Sequence, residues 1–168
     1  PEYYRRLSRV AVRDLNIFRG KHMEDYRLKV KQLDDVKKEI EGLKSVGKKI
    51  VFTNGCFDIL PLGHSRYLQE ARRLGAYLIV AVNSDRSVRA IKGPERPVMN
   101  QDERAEMLAA LGFVDAVITF DEETPLKVIE YLTPDVLVKG GDWRPEDIVG
   151  GDVVLAAGGE VRSIVFVE

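Results

Sequence analysis

Residues 50–64, Ile50-Val51-Phe52-Thr53-Asn54-Gly55-Cys56-Phe57-Asp58-Ile59-Leu60-Pro61-Leu62-Gly63-His64, set an apolar run against a glycine-bracketed turn that ends in one of only two histidines. Ile50-Val51-Phe52 reads as a short buried strand, because the run is continuous, β-prone and closed by turn residues. A helical pattern starts at Gly63 and continues to about residue 74. Asn54, Gly55 and Gly63 allow backbone amides to approach a guest closely, and the helix after Gly63 turns its positive amino end towards the same place. The stretch therefore reads as strand, loop and helix start, arranged to hold an anion. It is neither a GxGxxG dinucleotide fingerprint nor a phosphate loop, and the VGKK at 46–49 lacks the upstream glycine and the following Ser or Thr.

Downstream, the apolar run 77–82 supplies a second strand and completes a βαβ unit. A loop rich in Gly and Pro (92–97) leads to a helix at 102–111, then a strand at 116–118, a helix at 125–131 and a strand at 136–138. After the loop Lys139-Gly140-Gly141-Asp142 come a helix at 145–157 and a last strand at 161–167. Alternating strands and helices predict an α/β fold, a Rossmann-like parallel sheet with helices on both faces. Upstream, Leu28, Leu33, Val36, Ile40 and Leu43 recur at helical spacing and Gly47 follows, which predicts one amphipathic helix over 24–46 whose stripe suggests a homodimer. Residues 1–23 carry Arg5, Arg6, Arg9, Arg13, Arg19 and Lys21 among interleaved apolar residues, a basic segment read as a solvated or partner-packed helix. The chain thus divides into a helical N-terminal extension and linker, 1–47, and one domain, 48–168.

The whole sequence of 168 residues, 45% hydrophobic, can bury a sizeable core. With 26 Lys and Arg against 27 Asp and Glu, no bulk field draws it to nucleic acid or to an anionic membrane, so anion binding must be local. One cysteine excludes an internal disulfide and a CxxC site, which fits a cytoplasmic protein, and no protein-held metal is expected. No apolar run approaches the roughly 20 residues that cross a bilayer.

In an open parallel sheet, ligands bind beyond the carboxyl ends of the strands where the order reverses. Two loops belong there: the one after Phe52 and Lys139-Gly140-Gly141-Asp142-Trp143. His64, in the first turn of its helix, can donate to an anion, or can simply pack or cap that helix.

With these residues placed, the chain resembles the cytidylyltransferase-like family of nucleotidylyltransferases. Within it, the chain is similar to the adenylyltransferases that make ADP-activated heptose for lipopolysaccharide, often one half of a bifunctional kinase and adenylyltransferase. The likeness runs over 48–168: VFTNGCFDIL and GH, then RYLQEARRLG, LIVAVNSD, KGPERPV, ERAEMLAAL, VDAV, FDEETPL, PDVLVKGGDW and EDIVG. The family signature HxGH carries two histidines that hold the nucleotide phosphates. Here Pro61-Leu62-Gly63-His64 has a proline in the first place. The family also runs on past its last strand into a Ser-Thr-Thr segment, whereas this sequence ends at Glu168.

The resemblance implies an enzyme that joins the AMP moiety of ATP to a sugar 1-phosphate, heptose 1-phosphate, and releases pyrophosphate. It implies Mg²⁺ carried by the nucleotide and a kinase acting upstream. The alternatives are a cytidylyltransferase for glycerol phosphate or a similar acceptor, and a nucleotide-binding domain weakened in catalysis by Pro61. No protein nucleophile is needed, so Cys56 reads as a small buried residue under the loop. By resemblance, His64 and Lys92 act on the phosphates, and Thr53, Asn54, Gly55, Phe57 and Gly63 form the floor of the nucleotide site. Arg104, Gly140, Gly141 and Asp142 meet the nucleotide. Cytidylyl-specific relatives carry an acidic residue where Gly141 stands, which favours ATP. The substrate side falls to Asp58, Asn83, Asp85 and Trp143. Each has a plainer alternative: Lys92 as a solvated loop lysine, Arg104 as a surface partner of Glu103 or Glu106, Asp58 as a support of the loop, Asn83 and Asp85 as a turn, Trp143 as packing beside Pro145.

Overall fold

The computed structural model describes residues 24–165; the basic segment 1–23 and residues 166–168, which include the end of the final strand expected over 161–167, lie outside them. Five strands, β1 (Ile50–Gly55), β2 (Tyr77–Asn83), β3 (Ala116–Phe120), β4 (Val136–Gly140) and β5 (Glu160–Ile164), form one all-parallel sheet in the order β3-β2-β1-β4-β5. This is the Rossmann-like fold that the alternating pattern predicts. Strand periodicity of two divides the core. Ile50, Phe52, Ile79, Ala81 and Ile118 pack on one face with α1 (Leu33–Ser45), α5 (Leu126–Leu132) and α6 (Gly151–Ala156). On the other face Val51, Leu78, Val80, Val82 and Val117 pack with α2 (Leu62–Arg72) and α4 (Gln101–Ala109). The chain reverses direction across the sheet between β1 and β4, which pair directly through Val51 with Val136, Phe52 with Leu137 and Thr53 with Val138. No helix of the described residues is long and apolar enough to cross a membrane.

Several expectations change. The single helix expected over 24–46 is two pieces, a 3-10 turn Tyr26–Lys29 and α1. Between them Val30 is extended and bridges Val117 beside β3, and the Lys31 amide donates to the Val117 carbonyl at 2.9 Å. Much of the apolar stripe that suggested a dimer packs within the chain: Val36 and Ile40 are fully buried in the cluster that holds Ile50, Ile129 and Leu132, and Leu33 and Leu43 pack partly against it, while Leu28 is exposed. Burying two such side chains contributes about 1.5–3 kcal/mol each.

The helix expected over 145–157 is likewise a 3-10 turn, Pro145–Asp147, followed by α6. Gly150 breaks it with φ +81°, and a Cβ there would lie 2.7 Å from Ile129. The stretch after β2, to which the sequence pattern assigns no element, forms α3 (Asp85–Lys92), capped by Ser84, whose side chain accepts from the Ser87 amide, and the expected Gly- and Pro-rich loop follows from Gly93. Ser87 and Val88 alone are buried on α3, so it offers little apolar period to detect. β1 continues to Gly55, which makes Thr53 and Asn54 strand residues rather than turn residues.

Candidate active site

Because β1 and β4 are neighbours, the loops that follow them meet at the carboxyl edge of the sheet. Two clefts open there, of about 290 and about 280 Å³. They share one wall, formed by Asn54, Gly55, Cys56 and Lys139. Phe57, Asp58, His64, Lys92, Arg96 and Gly140 complete the first cleft; Asn83, Ile91, Glu123, Pro125 and Trp143 are among those that complete the second.

The loop after β1 takes an unusual path. Phe57 has φ +46°, a left-handed conformation uncommon for a bulky residue. Its ring covers Gly55, where a Cβ would come within 3.1 Å of the ring. The Phe57 and His64 rings meet edge to face with centroids 5.9 Å apart, and Tyr67 holds the other side of His64 at 6.1 Å. Beneath them, the buried Thr53 Oγ1 and Tyr67 Oη lie 2.9 Å apart and share a hydrogen bond.

Asp58 is buried and faces inward to the loop 93–99: it accepts from Arg96 Nη1 at 2.6 Å, Val98 N at 2.7 Å and Met99 N at 3.2 Å. Burial alone would raise its pKa, but those amides and the charges of Arg96 and Arg104 outweigh it and keep the carboxyl ionised below its usual range. This geometry is that of a loop support.

The first cleft is therefore cationic. Its carboxylate, Asp58, is already neutralised, while Lys92, Lys139 and His64 face the open volume. Burial of the His64 ring, and then the charge of Lys92, hold its pKa below the ordinary value of 6.5. Burial also lowers that of Lys139. An anion entering the cleft would raise both again, because it favours the charged form of each.

Not all the residues expected at the site line these two clefts. Arg104 is outside the lining of both and is fully buried rather than on the helix surface: its guanidinium donates to the carbonyls of Cys56 (2.5 Å) and Met99 (3.0 Å) and to Asp85 Oδ1 (2.8 Å). Asp85 is thereby engaged at the start of α3. Thr53 lies under the floor. Gly63 precedes His64 in the first turn of α2. Gly141, with φ +115°, and the exposed Asp142 lie just beyond the cleft rim, where Ser163 Oγ donates to the Gly141 carbonyl. Asn83 lines the second cleft while its amide donates to Ser87 Oγ at 2.9 Å. Trp143 lines it too, 46% exposed, with Lys139 Nζ 5.8 Å from its ring centre.

Among the lining residues to which the sequence reading gave no role in the site are Lys139, Arg96 and Cys56. Cys56 is half-buried and lines both clefts, rather than sitting under the loop, because the left-handed turn at Phe57 lifts the chain there. Among the described residues no group of three or more His, Cys, Asp or Glu is placed to hold a metal ion.

Comparison with known proteins agrees with this geometry. The profile of the family described as cytidylyltransferase-like matches residues 52–153. The chain is 47% identical over 161 residues to the bifunctional protein HldE of Syntrophotalea carbinolica, with 96% of this chain and 33% of that protein covered. It is 52% identical to the bifunctional protein HldE of Citrifermentans bemidjiense, again over 96% of this chain and 33% of that protein. This chain thus spans about a third of the length of the curated relatives it matches. A crystal structure of the lipopolysaccharide core biosynthesis protein from Thermoplasma volcanium superposes with a TM-score of 0.58 at 28% identity, covering 73% of this chain and 98% of that one.

Proposed function

The chain belongs to the cytidylyltransferase-like family of nucleotidyltransferases, and from that premise we propose that it transfers the AMP moiety of ATP to a sugar 1-phosphate, heptose 1-phosphate, releasing pyrophosphate. One observation carries the reading: two clefts meet at the β1/β4 switch point across a shared wall, and the first of them is lined by cations. The triphosphate occupies the first cleft and the acceptor the second. An oxygen of the acceptor phosphate forms a bond to the α-phosphorus as the bond from that phosphorus to the oxygen bridging to the β-phosphate breaks. Pyrophosphate leaves with that electron pair. The protein supplies position and charge rather than a nucleophile.

His64 and Lys92 neutralise the charge that grows on the leaving phosphates. Asn54, Gly55 and Phe57 form the floor, Gly140 closes it from β4, and Asp58 fixes the loop that brings Lys92 and Arg96 over the cleft. Mg²⁺ enters with the nucleotide as part of the substrate. Asn83 and Trp143 bound the acceptor. Gly141 favours ATP: its left-handed backbone suits glycine and disfavours an acidic side chain. We assign the transfer to residues 48–168, with 1–47 as the linker that precedes them, a kinase as the supplier of the phosphorylated sugar, and ADP-heptose for lipopolysaccharide core as the product's use.

The test pairs ATP and CTP with a panel of sugar 1-phosphates and glycerol phosphate, and measures pyrophosphate together with the melting temperature. ATP at a hundred times its dissociation constant should stabilise the fold by about 2.7 kcal/mol and exceed the CTP effect. Pyrophosphate should appear with ATP and heptose 1-phosphate. A larger CTP shift, with turnover of glycerol phosphate, would favour the cytidylyltransferase alternative; ATP binding without pyrophosphate release from any pair would favour a weakened nucleotide-binding domain.

A further inference from the structure

Resting on the transfer reading above, we infer that Lys139 holds the reacting phosphate at the junction of the two clefts, and that its ammonium is the contact common to acceptor and nucleotide. Lys139 is the penultimate residue of β4 and lies opposite Ser163 of β5, so its backbone is fixed by the sheet on a central strand. Its side chain belongs to the wall that both clefts share.

That ammonium has no anionic partner among the described residues. Of the carboxylates lining the clefts, Asp58 is engaged by Arg96 and two backbone amides. Asp147 is held by both Arg144 Nε (2.7 Å) and Nη2 (3.0 Å), and Glu123 makes no ion pair with Lys139. Its nearest recorded company is the Trp143 ring at 5.8 Å, at the outer limit of a cation–π contact, and the Cys56 side chain. A half-buried cation without a counter-charge is unfavourable in the empty protein and becomes favourable when an anion enters.

Position decides which anion. His64 and Lys92 face the first cleft alone, whereas Lys139 reaches both. The group that occupies both at once during transfer is the phosphate oxygen of the acceptor bonding to the α-phosphorus while the bond to the departing pyrophosphate breaks. A fixed ammonium at that point offsets charge on the attacking oxygen in the ground state and on the five-coordinate phosphorus in the transition state.

The test uses Lys139→Met, which keeps the length and loses the charge, and Lys139→Arg, which keeps the charge. Inorganic phosphate is the binding probe, so this readout needs no turnover. Lys139→Met should bind phosphate about tenfold more weakly or worse, the equivalent of one charge-assisted hydrogen bond, and Lys139→Arg should recover most of it. In transfer assays Lys139→Met should lower kcat on the order of a hundredfold and raise the KM of the sugar phosphate, with the melting temperature of the empty protein unchanged or raised. Wild-type phosphate affinity and kcat in a folded Lys139→Met protein would overturn the inference, and so would failure of both variants to fold, which would make the lysine structural. A wild-type protein that releases no pyrophosphate yet binds phosphate through Lys139 would instead overturn the transfer reading and leave the anion site standing.

Discussion

His64 was legible from its place alone, a histidine in the first turn of a helix that follows a glycine-bearing loop. Its electrical state was not, because that depends on its burial, between the Phe57 ring from the preceding loop and the Tyr67 ring one turn on, and on Lys92 from the end of α3. Burial and Lys92 lower its pKa, so the unfolded chain binds the proton more readily than the folded one. Stability from this group is therefore complete above about pH 6.5 and is lost as pH falls through the lowered folded value. Thermal melts between about pH 7.5 and about pH 5 should lose more stability in the wild type than in His64→Gln, and a bound triphosphate should reduce the difference. Parallel pH curves with and without His64 would contradict this. Three residues away, Pro61 occupies the first histidine place of the signature. It is the exposed N-cap of α2, at φ −71° and ψ 163°, an extended conformation that histidine adopts without strain. Pro61→His should therefore raise the rate of pyrophosphate release at nearly unchanged melting temperature, by adding a donor that proline lacks. Normal ATP binding with no faster turnover would place any rate deficit elsewhere. The sequence placed Lys139 in the loop that faces the crevice but gave it no role there; what it did not show is that Lys139 belongs to β4 and lines both clefts, beside Trp143.

The strands and the helices around residues 62–72, 101–109 and 126–132 were readable because each carries an unambiguous apolar period. The helix α3 was not: it is short, polar and set by the Ser84 cap. The break at Val30 was hidden for a different reason, since its partner Val117 lies far along the chain, and Gly150 takes a left-handed turn against Ile129 that the local sequence does not show. The same long-range logic governs Arg104. The sequence offers it Glu103 and Glu106 as neighbours, but Glu103 closes a capping box with Asn100 and Glu106 accepts from Tyr26. Arg104 instead joins the loop after β1, the start of α3 and the loop before α4 through Cys56, Asp85 and Met99. Arg104→Ala removes a fully buried cation and strands Asp85 and two carbonyls, so urea unfolding should show a loss of about 3–5 kcal/mol, with nucleotide binding weakened through displacement of the β1 loop. A loss under about 1 kcal/mol would mean that the triple tie is not structural.

The sheet order β3-β2-β1-β4-β5 is what turns separate motifs into a site, because it lays the loop after β1 beside the loop after β4. The sequence implied both loops and the place where they would meet; it did not imply that they would enclose two clefts with a wall in common. That feature comes from the left-handed turn at Phe57 and from the return of the chain through Trp143 to β5, where the Trp143 amide donates to Ser163 Oγ at 3.1 Å. In the proposed function the shared wall lets two bound substrates react directly, and phosphorus NMR tests for that transfer without coupling enzymes. With ATP, Mg²⁺ and heptose 1-phosphate, the account expects the α-phosphorus signal of ATP and the sugar phosphate signal to disappear together. A sugar nucleotide diphosphate and pyrophosphate should grow in equal amounts, and Lys92→Ala should slow both by a similar factor. Release of ADP and inorganic phosphate instead, or spectra that stay unchanged with every phosphorylated acceptor while ATP is bound, would contradict nucleotidyl transfer at this site.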